Sequence, residues 1–320
     1  MNFRTSIPIP NCSFPIDYHS RILSVGSCFA ENIGAKLDYH KFNILTNPFG
    51  ILFHPRAIDK MFQILVSKKY FTEDELFYHQ ERWHHFDTHS QCSHPDKEVM
   101  LSQLNATAEK LHNQFSQLTH IIITLGTAWE YRIRKTGVSV ANCHKVPQSE
   151  FSKELLMAEE MVQVLKNTID TVREVNQGVK IIFTISPVRH LKDGFVENQV
   201  SKSQLITALY TLLQDKKYQE YAYYFPSYEI VIDELRDYRF YSEDMLHPNT
   251  VAVDYIWERF SEKILSEEAK PVLEEIAGLQ KSLAHRPFNP EGEAHQKFLE
   301  HLSLRVQKVK DLYPHISFDN

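Results

Sequence analysis

Arg21-Ile-Leu-Ser-Val25-Gly26-Ser27-Cys28-Phe29-Ala30 changes character within a few residues. A short β-rich run ends at Gly26-Ser27, and a helical pattern opens at once and runs from Ala30 to about Tyr39. The same switch recurs outward along the chain. A weak strand at 42–45 leads through Asn47-Pro48-Phe49-Gly50 into a helix over about 56–67. The spacing of Val99, Leu101, Leu104, Leu111 and Phe115 predicts a long amphipathic helix over 96–118. His120-Ile-Ile-Ile-Thr-Leu125, stopped by Gly126, reads as a strand buried on both faces. Lys180-Ile-Ile-Phe-Thr-Ile185, before Ser186-Pro187, reads the same way. A polar hairpin-like stretch (129–147) and a helix over about 152–175 separate these two strands. Helices over about 200–214 and 249–265 follow, with a strand and a short helix mixed between 224 and 235. Apolar strands alternating with helices predict an α/β fold whose parallel sheet is covered on both faces. In such a sheet the ligand site lies beyond the carboxyl ends of the strands. Gly26-Ser27, Asn47–Gly50, Gly126–Trp129 and Ser186–His190 should therefore line one edge.

Composition narrows the function classes. Among 320 residues, Lys and Arg number 35 against 41 Asp and Glu, a formal charge of -6. No basic stripe suited to a nucleic acid backbone is expected from that balance. With 42% hydrophobic and 24% charged residues, the chain is too apolar for disorder. No apolar run is long enough for a transmembrane helix, and Pro8, Pro10 and Pro15 interrupt any leader-like start. Four scattered cysteines (Cys12, Cys28, Cys92, Cys143) predict a reduced, cytoplasmic protein without a disulfide framework. Glycine is scarce: nine where average usage of about 7% would give about 22. Three of the nine, Gly26, Gly50 and Gly126, fall at expected strand ends, where a backbone approaches a ligand. Beyond Glu267 the chain turns charged and Leu-spaced. It divides into a domain over 1–266, with an insertion at about 70–95, and a helical extension over 267–320. Those helices offer one surface for homo-oligomer formation.

Ser27 follows a strand and opens a helix, where free N–H groups and the positive end of the helix dipole favour developing negative charge. The same position is a preferred N-cap, and the segment alone leaves both roles open. Asp244-Met-Leu-His247-Pro248 precedes the last core helix. An Asp three residues before a His, in a turn closed by proline, can accept one imidazole N–H and leave the other nitrogen free as a base. If the first strand is central, Ser27 and the Asp244/His247 pair should meet.

Gly26-Ser-Cys-Phe-Ala30 is the motif for which the GSCFA family is named, and the chain resembles that family through further blocks. These are Asn47-Pro-Phe-Gly50, Leu125-Gly-Thr-Ala-Trp-Glu-Tyr131, Asn142-Cys-His-Lys-Val-Pro147, Ser186-Pro-Val-Arg-His190 and Asp244-Met-Leu-His247-Pro248. They cover roughly residues 20–265. The family in turn looks like a branch of the SGNH/GDSL hydrolases. That resemblance implies a flavodoxin-like three-layer α/β/α fold and ester hydrolysis or acyl transfer, with no cofactor. It implies Ser27 as nucleophile, His247 as general base and Asp244 as its orienter. The backbone N–H groups of Ser27 and Gly50 would be oxyanion donors. The chain departs from the superfamily at Gly126-Thr127-Ala128, where a Gly-x-Asn block normally supplies a third, side-chain amide donor. Either another group substitutes, with Asn47, Thr127 and Asn142 as candidates, or the activity is slow or different. A similar Trp-bearing block occurs in plant polysaccharide O-acetyltransferases, which keeps acyl transfer open.

Arg189 and His190, at the end of a strand, suit an acidic or carbohydrate ligand as well as helix capping. Trp129 suits a sugar face as well as core packing. His79, His84, His85, His89, Cys92 and His94 crowd the insertion without a spacing typical of zinc sites, so pocket-wall or surface histidines are expected rather than a metal centre. Trp83–Ser90 also resembles a GSCFA segment, which implies that His84, Asp87 or His89 shapes the substrate pocket. The leading expectation is an esterase acting on an O-acylated carbohydrate or small ester. An O-acyltransferase or a non-catalytic carbohydrate- or metabolite-binding module is the alternative.

Overall fold

The computed structural model describes residues 5–318. Five parallel strands form the central sheet: β1 (Arg21–Gly26), β2 (Asn43–Thr46), β3 (His120–Leu125), β4 (Lys180–Ile185) and β5 (Ala222–Phe225). Their spatial order is β5-β4-β3-β1-β2, the 2-1-3-4-5 order of flavodoxin-like sheets. β3 is buried at every residue and β4 at all but its first, which is why their sequences run apolar without alternation.

The two faces each build a separate core. Leu23, Val25, Ile121, Ile123, Ile181 and Phe183 point to one side. There they meet α2 (Pro55–Val66), α3 (Lys97–Phe115), α4 (Ala158–Val175) and α5 (Phe195–Gln214). Ile22, Ile122, Ile182 and Phe225 point to the other side. They meet α1 (Cys28–Tyr39), α6 (Thr250–Ile264), α7 (Ala269–Leu283) and α8 (Glu293–Leu312). This is the expected three-layer α/β/α arrangement. The C-terminal helices join it: Ile276, Leu279, Leu302 and Val309 belong to the same apolar cluster as Phe29, Leu37 and Trp257.

Local signals set the helix starts. Asp96 caps α3 by accepting the Val99 N–H at 3.0 Å, and Pro55 occupies the first turn of α2. One boundary differs from expectation. Residues 152–155, read as the start of α4, belong to the strand Phe151–Leu155, which pairs antiparallel with Trp129–Ile133 from Trp129↔Leu155 to Ile133↔Phe151. Ser139–Val140 adds a third strand. The buried Glu130 carboxylate fastens this small sheet through the Arg132 Nε at 2.8 Å and the Ser139 hydroxyl at 3.0 Å. Pairing across the sheet outweighs the helical propensity of Lys153 and Glu154. The 70–95 insertion is also ordered differently from its weak periodicity. Phe77–His79 and Arg82–His84 form a hairpin, turned by Gln80 and Glu81, both at positive φ.

Candidate active site

All five strands end on one side, so the expected edge exists. Its topological switch point lies between β1 and β3, because the chain leaves β1 toward β2 and returns on β1's other flank as β3. Gly26-Ser27 and Gly126-Thr127 emerge there. Gly26 is the residue that permits this junction: its φ is +142°, and a Cβ would stand 2.2 Å from the Thr124 carbonyl oxygen.

Ser27 is the N-cap of α1, with its Oγ accepting the Phe29 N–H at 3.2 Å, and only 2% of its surface is exposed. Its own N–H donates to the Thr124 carbonyl at 3.0 Å, continuing the β1–β3 ladder past the Gly26↔Thr124 pair. This corrects the expected oxyanion role for that amide, which is already committed. The Gly50 amide is committed too. It donates to Asn47 O at 2.8 Å, in a turn past the end of β2 rather than at the strand end itself. Burial, then the Glu31 charge, push the Cys28 thiol up, so it stays protonated at neutral pH.

Asn47 supplies what those amides do not. Its Oδ1 accepts the Gly26 N–H at 2.9 Å, which fixes the side chain against the Gly26-Ser27 turn. Its Nδ2 is buried with no hydrogen-bond partner. A buried amide donor left unpaired costs free energy unless something bonds to it. Among the three candidate substitutes it is the available one. Thr127 is sealed and bonded to the Ser201 hydroxyl at 2.9 Å. Asn142 is held against the insertion, donating its N–H to Phe86 O and accepting the His144 N–H at 2.8 Å.

The Asp244/His247 pair is formed. His247 Nδ1 and Asp244 Oδ2 are 2.6 Å apart. Asp244 Oδ1 also accepts the Leu246 and His247 N–H groups, at 2.9 and 3.0 Å. These backbone bonds, with the imidazole, hold the Asp244 carboxyl down to about 2. Both side chains are about half exposed. Asn249 then caps α6 by accepting the Ala252 N–H at 3.1 Å. An ion pair between Lys36 and Asp254 joins α1 to α6. At 1.5 Å per residue, Ser27 and Asn249 lie about 14 and 8 Å beyond that contact, on the same edge. Among the described residues no hydrogen bond joins Ser27 to His247, although the two share one edge.

Arg189 opens into a cleft of about 360 Å³ shared with Phe195, Tyr238, Tyr241 and Asp244. His190 turns inward instead. Its ring packs 5.3 Å from Phe53, and burial, then the Lys202 charge, push its imidazole down to about 4. Trp129 is no open sugar platform, since its indole N–H donates to Glu197 O at 3.2 Å and Lys153 covers its ring at 4.7 Å. His84 of the insertion and His144 of the 129–147 stretch are buried with rings 4.6 Å apart, inside the fold and not on its surface. Asp87 pairs with Lys60 at 2.6 Å. Only His89, packed against Gly50, reaches the edge. Among the described residues no group of three or more His, Cys, Asp or Glu is arranged to hold a metal.

Lys202 on α5 was not anticipated. It is fully buried, and its Nζ donates to Gly126 O and Ser186 O, both at 2.7 Å. Burial pushes its amine down to about 7. Ser201 beside it receives the Ala128 N–H at 2.7 Å, and Asn198 receives the His190 N–H at 2.9 Å. One polar face of α5 thus pins the loops after β3 and β4. The signal was present: Asn198, Ser201, Lys202, Leu205, Leu209 and Leu212 share the buried stripe of one helix.

Comparison with known proteins agrees with the motif blocks. The model described as GSCFA family matches residues 21–260, and the one described as GSCFA domain protein, C-terminal domain, matches residues 276–320. No curated relative matches the chain. No helix among the described residues is long and apolar enough to cross a membrane. With its sheet edge, its motif blocks and the greater part of its length matched, the chain belongs to the GSCFA family.

Proposed function

We propose that this protein is a serine-dependent acyl ester hydrolase acting on an O-acylated carbohydrate or a similar small ester. The observation that carries the reading is the Asp244–His247 pair at 2.6 Å, on the edge where Ser27 caps α1. Asp244 accepts a hydrogen bond from Nδ1–H and leaves Nε2 as the base. In the reaction Nε2 takes the Ser27 proton as Oγ forms a bond to the ester carbonyl carbon. Collapse of the adduct breaks the ester C–O bond, and the imidazolium returns its proton to the leaving alkoxide. Water then repeats the sequence on the acyl-serine. Asn47 Nδ2, the unpaired donor beside the turn, is the group suited to the oxyanion. The reading requires the Ser27 hydroxyl to leave its cap bond when substrate seats. A reduced, cytoplasmic setting fits it, because the four cysteines are free thiols.

Hydrolysis of 4-nitrophenyl acetate by wild type, S27A and H247A tests the proposal. Loss of at least about 10³-fold in both variants is expected, and equal rates in all three would sink it. Faster acyl transfer to an added sugar than to water would identify a transferase using the same residues. One observation favours a second reading, a non-catalytic carbohydrate-binding module: Ser27 is sealed, and the amides of Ser27 and Gly50 are both spent. Sugar-induced thermal stabilisation without turnover, together with no labelling of Ser27 by an organophosphonate, would select it.

A further inference from the structure

We propose that the cleft beside Asp244 binds an acidic sugar, with Arg189 reading a carboxylate and the aromatic rim covering the ring. This names a substrate class for the reading above and rests on it for the chemistry, but its binding claim stands alone.

Charge around the cleft is settled everywhere except at Arg189. Asp244 spends its oxygens on His247 and two backbone N–H groups. Asp237 accepts the Arg239 N–H and pairs with its guanidinium at 3.1 Å. Arg236 pairs with Asp233 at 3.0 Å. Arg189 alone among these cations has no acidic partner among the described residues. Its backbone is fixed on both sides, by the buried Val188 before it and by the His190 N–H bond to Asn198 after it. A guanidinium presented from a fixed loop suits two parallel hydrogen bonds to a planar oxyanion. Its charge also acts on Tyr228 and Tyr241, whose hydroxyls burial keeps protonated. Tyr228 donates to Gln199 at 3.2 Å, and the Tyr241 hydroxyl has no partner among the described residues.

Carboxylate is favoured over phosphate by charge balance. One unpaired arginine matches a monoanion, whereas a phosphate dianion would face Asp237 and Asp244 across the same cleft. The rim supplies the second half of the argument. Phe195 is 70% and Tyr238 72% exposed, and the Tyr238 and Tyr241 rings lie 5.9 Å apart. Such flat apolar surfaces suit the C–H face of a pyranose. A volume of about 360 Å³ falls within the range of small-ligand pockets, about 300–1,000 Å³.

Calorimetric titration of the full chain with D-glucuronate, D-glucose and glucose 6-phosphate tests the site without turnover. Glucuronate should bind more tightly than glucose or glucose 6-phosphate. R189Q should weaken glucuronate about 10- to 100-fold and leave glucose unchanged. R189K should recover only part of that loss, and Y238A should weaken both sugars. Equal affinity for glucuronate and glucose, equal affinity of wild type and R189Q, tighter glucose 6-phosphate, or no binding at millimolar ligand would each overturn the proposal. Repeating the titration with S27A separates the two claims. Binding intact in an enzymatically inert wild type leaves the cleft standing and removes the esterase, whereas turnover of a neutral ester without glucuronate binding does the reverse.

Discussion

The carboxyl edge of the sheet treats its polar groups in two opposite ways. Over β1, β3 and β4, Ser27, Thr127, Ser186, Ser201 and Lys202 are buried, and each is hydrogen-bonded to neighbouring backbone or side chain. Past β5, Asp244 and His247 stand half open, and Asp244 shares a cleft with Arg189 from the loop after β4. In the sealed half these five side chains fix the backbone through the bonds they make. In the open half Asp244 and His247 bond to each other, and Arg189 has no acidic partner among the described residues. On the proposed esterase reading, with Ser27 in the first half and His247 in the second, turnover requires the two to come within hydrogen-bond reach. Asn47 is the exception on the sealed side, the one candidate donor still unmatched.

Substitutions that strike one half should leave the signature of the other untouched. D244N acts on the open half. It should lower kcat about 10⁴-fold at neutral pH by upsetting the tautomer of His247, with no change in melting temperature, since both side chains are half exposed. A matching loss of stability would break the distinction. N47A crosses the boundary. About 10²–10³-fold should be lost from kcat with little change in KM, as steady-state kinetics would record. A loss confined to KM would remove Asn47 from the oxyanion.

His144, packed against the insertion through His84 and His85, extends the sealed behaviour to pH. Burial, then neighbouring histidine charge, push His144 down to about 4, against about 6.5 in the unfolded chain. The unfolded state therefore binds the extra proton between those values. Its contribution, about 3 kcal/mol, is present above pH 6.5 and is lost as pH falls toward 4. Urea unfolding across this window should show the slope, and H144N should reduce it, leaving the part that belongs to His54 and His190, which burial depresses in the same way. The smallest effect is expected from K202M, about 2 kcal/mol. Two carbonyls lose their donor, partly offset by removal of a desolvated cation. Because the Lys202 amine is depressed in the folded state, wild-type stability should rise with pH from 7 toward 10.5. That rise should vanish in K202M, and its persistence would assign it to another group.

What the sequence revealed follows from which forces act locally. The runs at 120–125 and 180–185 announced themselves because burial on both faces removes alternation. Ser27, Asp244 and His247 were legible from their places at a strand end and before a helix cap. The strand at 151–155 was not, because its partner Trp129–Ile133 lies far back in the chain and supplies the stabilisation. The hairpin at 77–84 hid because its positive-φ turn uses Gln80 and Glu81, where Asn-Gly would have marked it. The spent amides of Ser27 and Gly50 depend on register and turn closure, which residue identity does not encode. Lys202 was overlooked because a lysine on an apolar stripe reads as an exposed end until burial is measured.

Lys202 also gives the molecule a built-in reporter. Burial pushes the Lys202 amine down toward neutrality, yet water and reagents do not reach it in the closed state. Surface lysines acylate at the speed of the reagent, whereas Lys202 can acylate only when the layer over β3 and β4 parts. The lag of its mass shift behind theirs therefore times the opening of the sheet edge, with or without a known substrate.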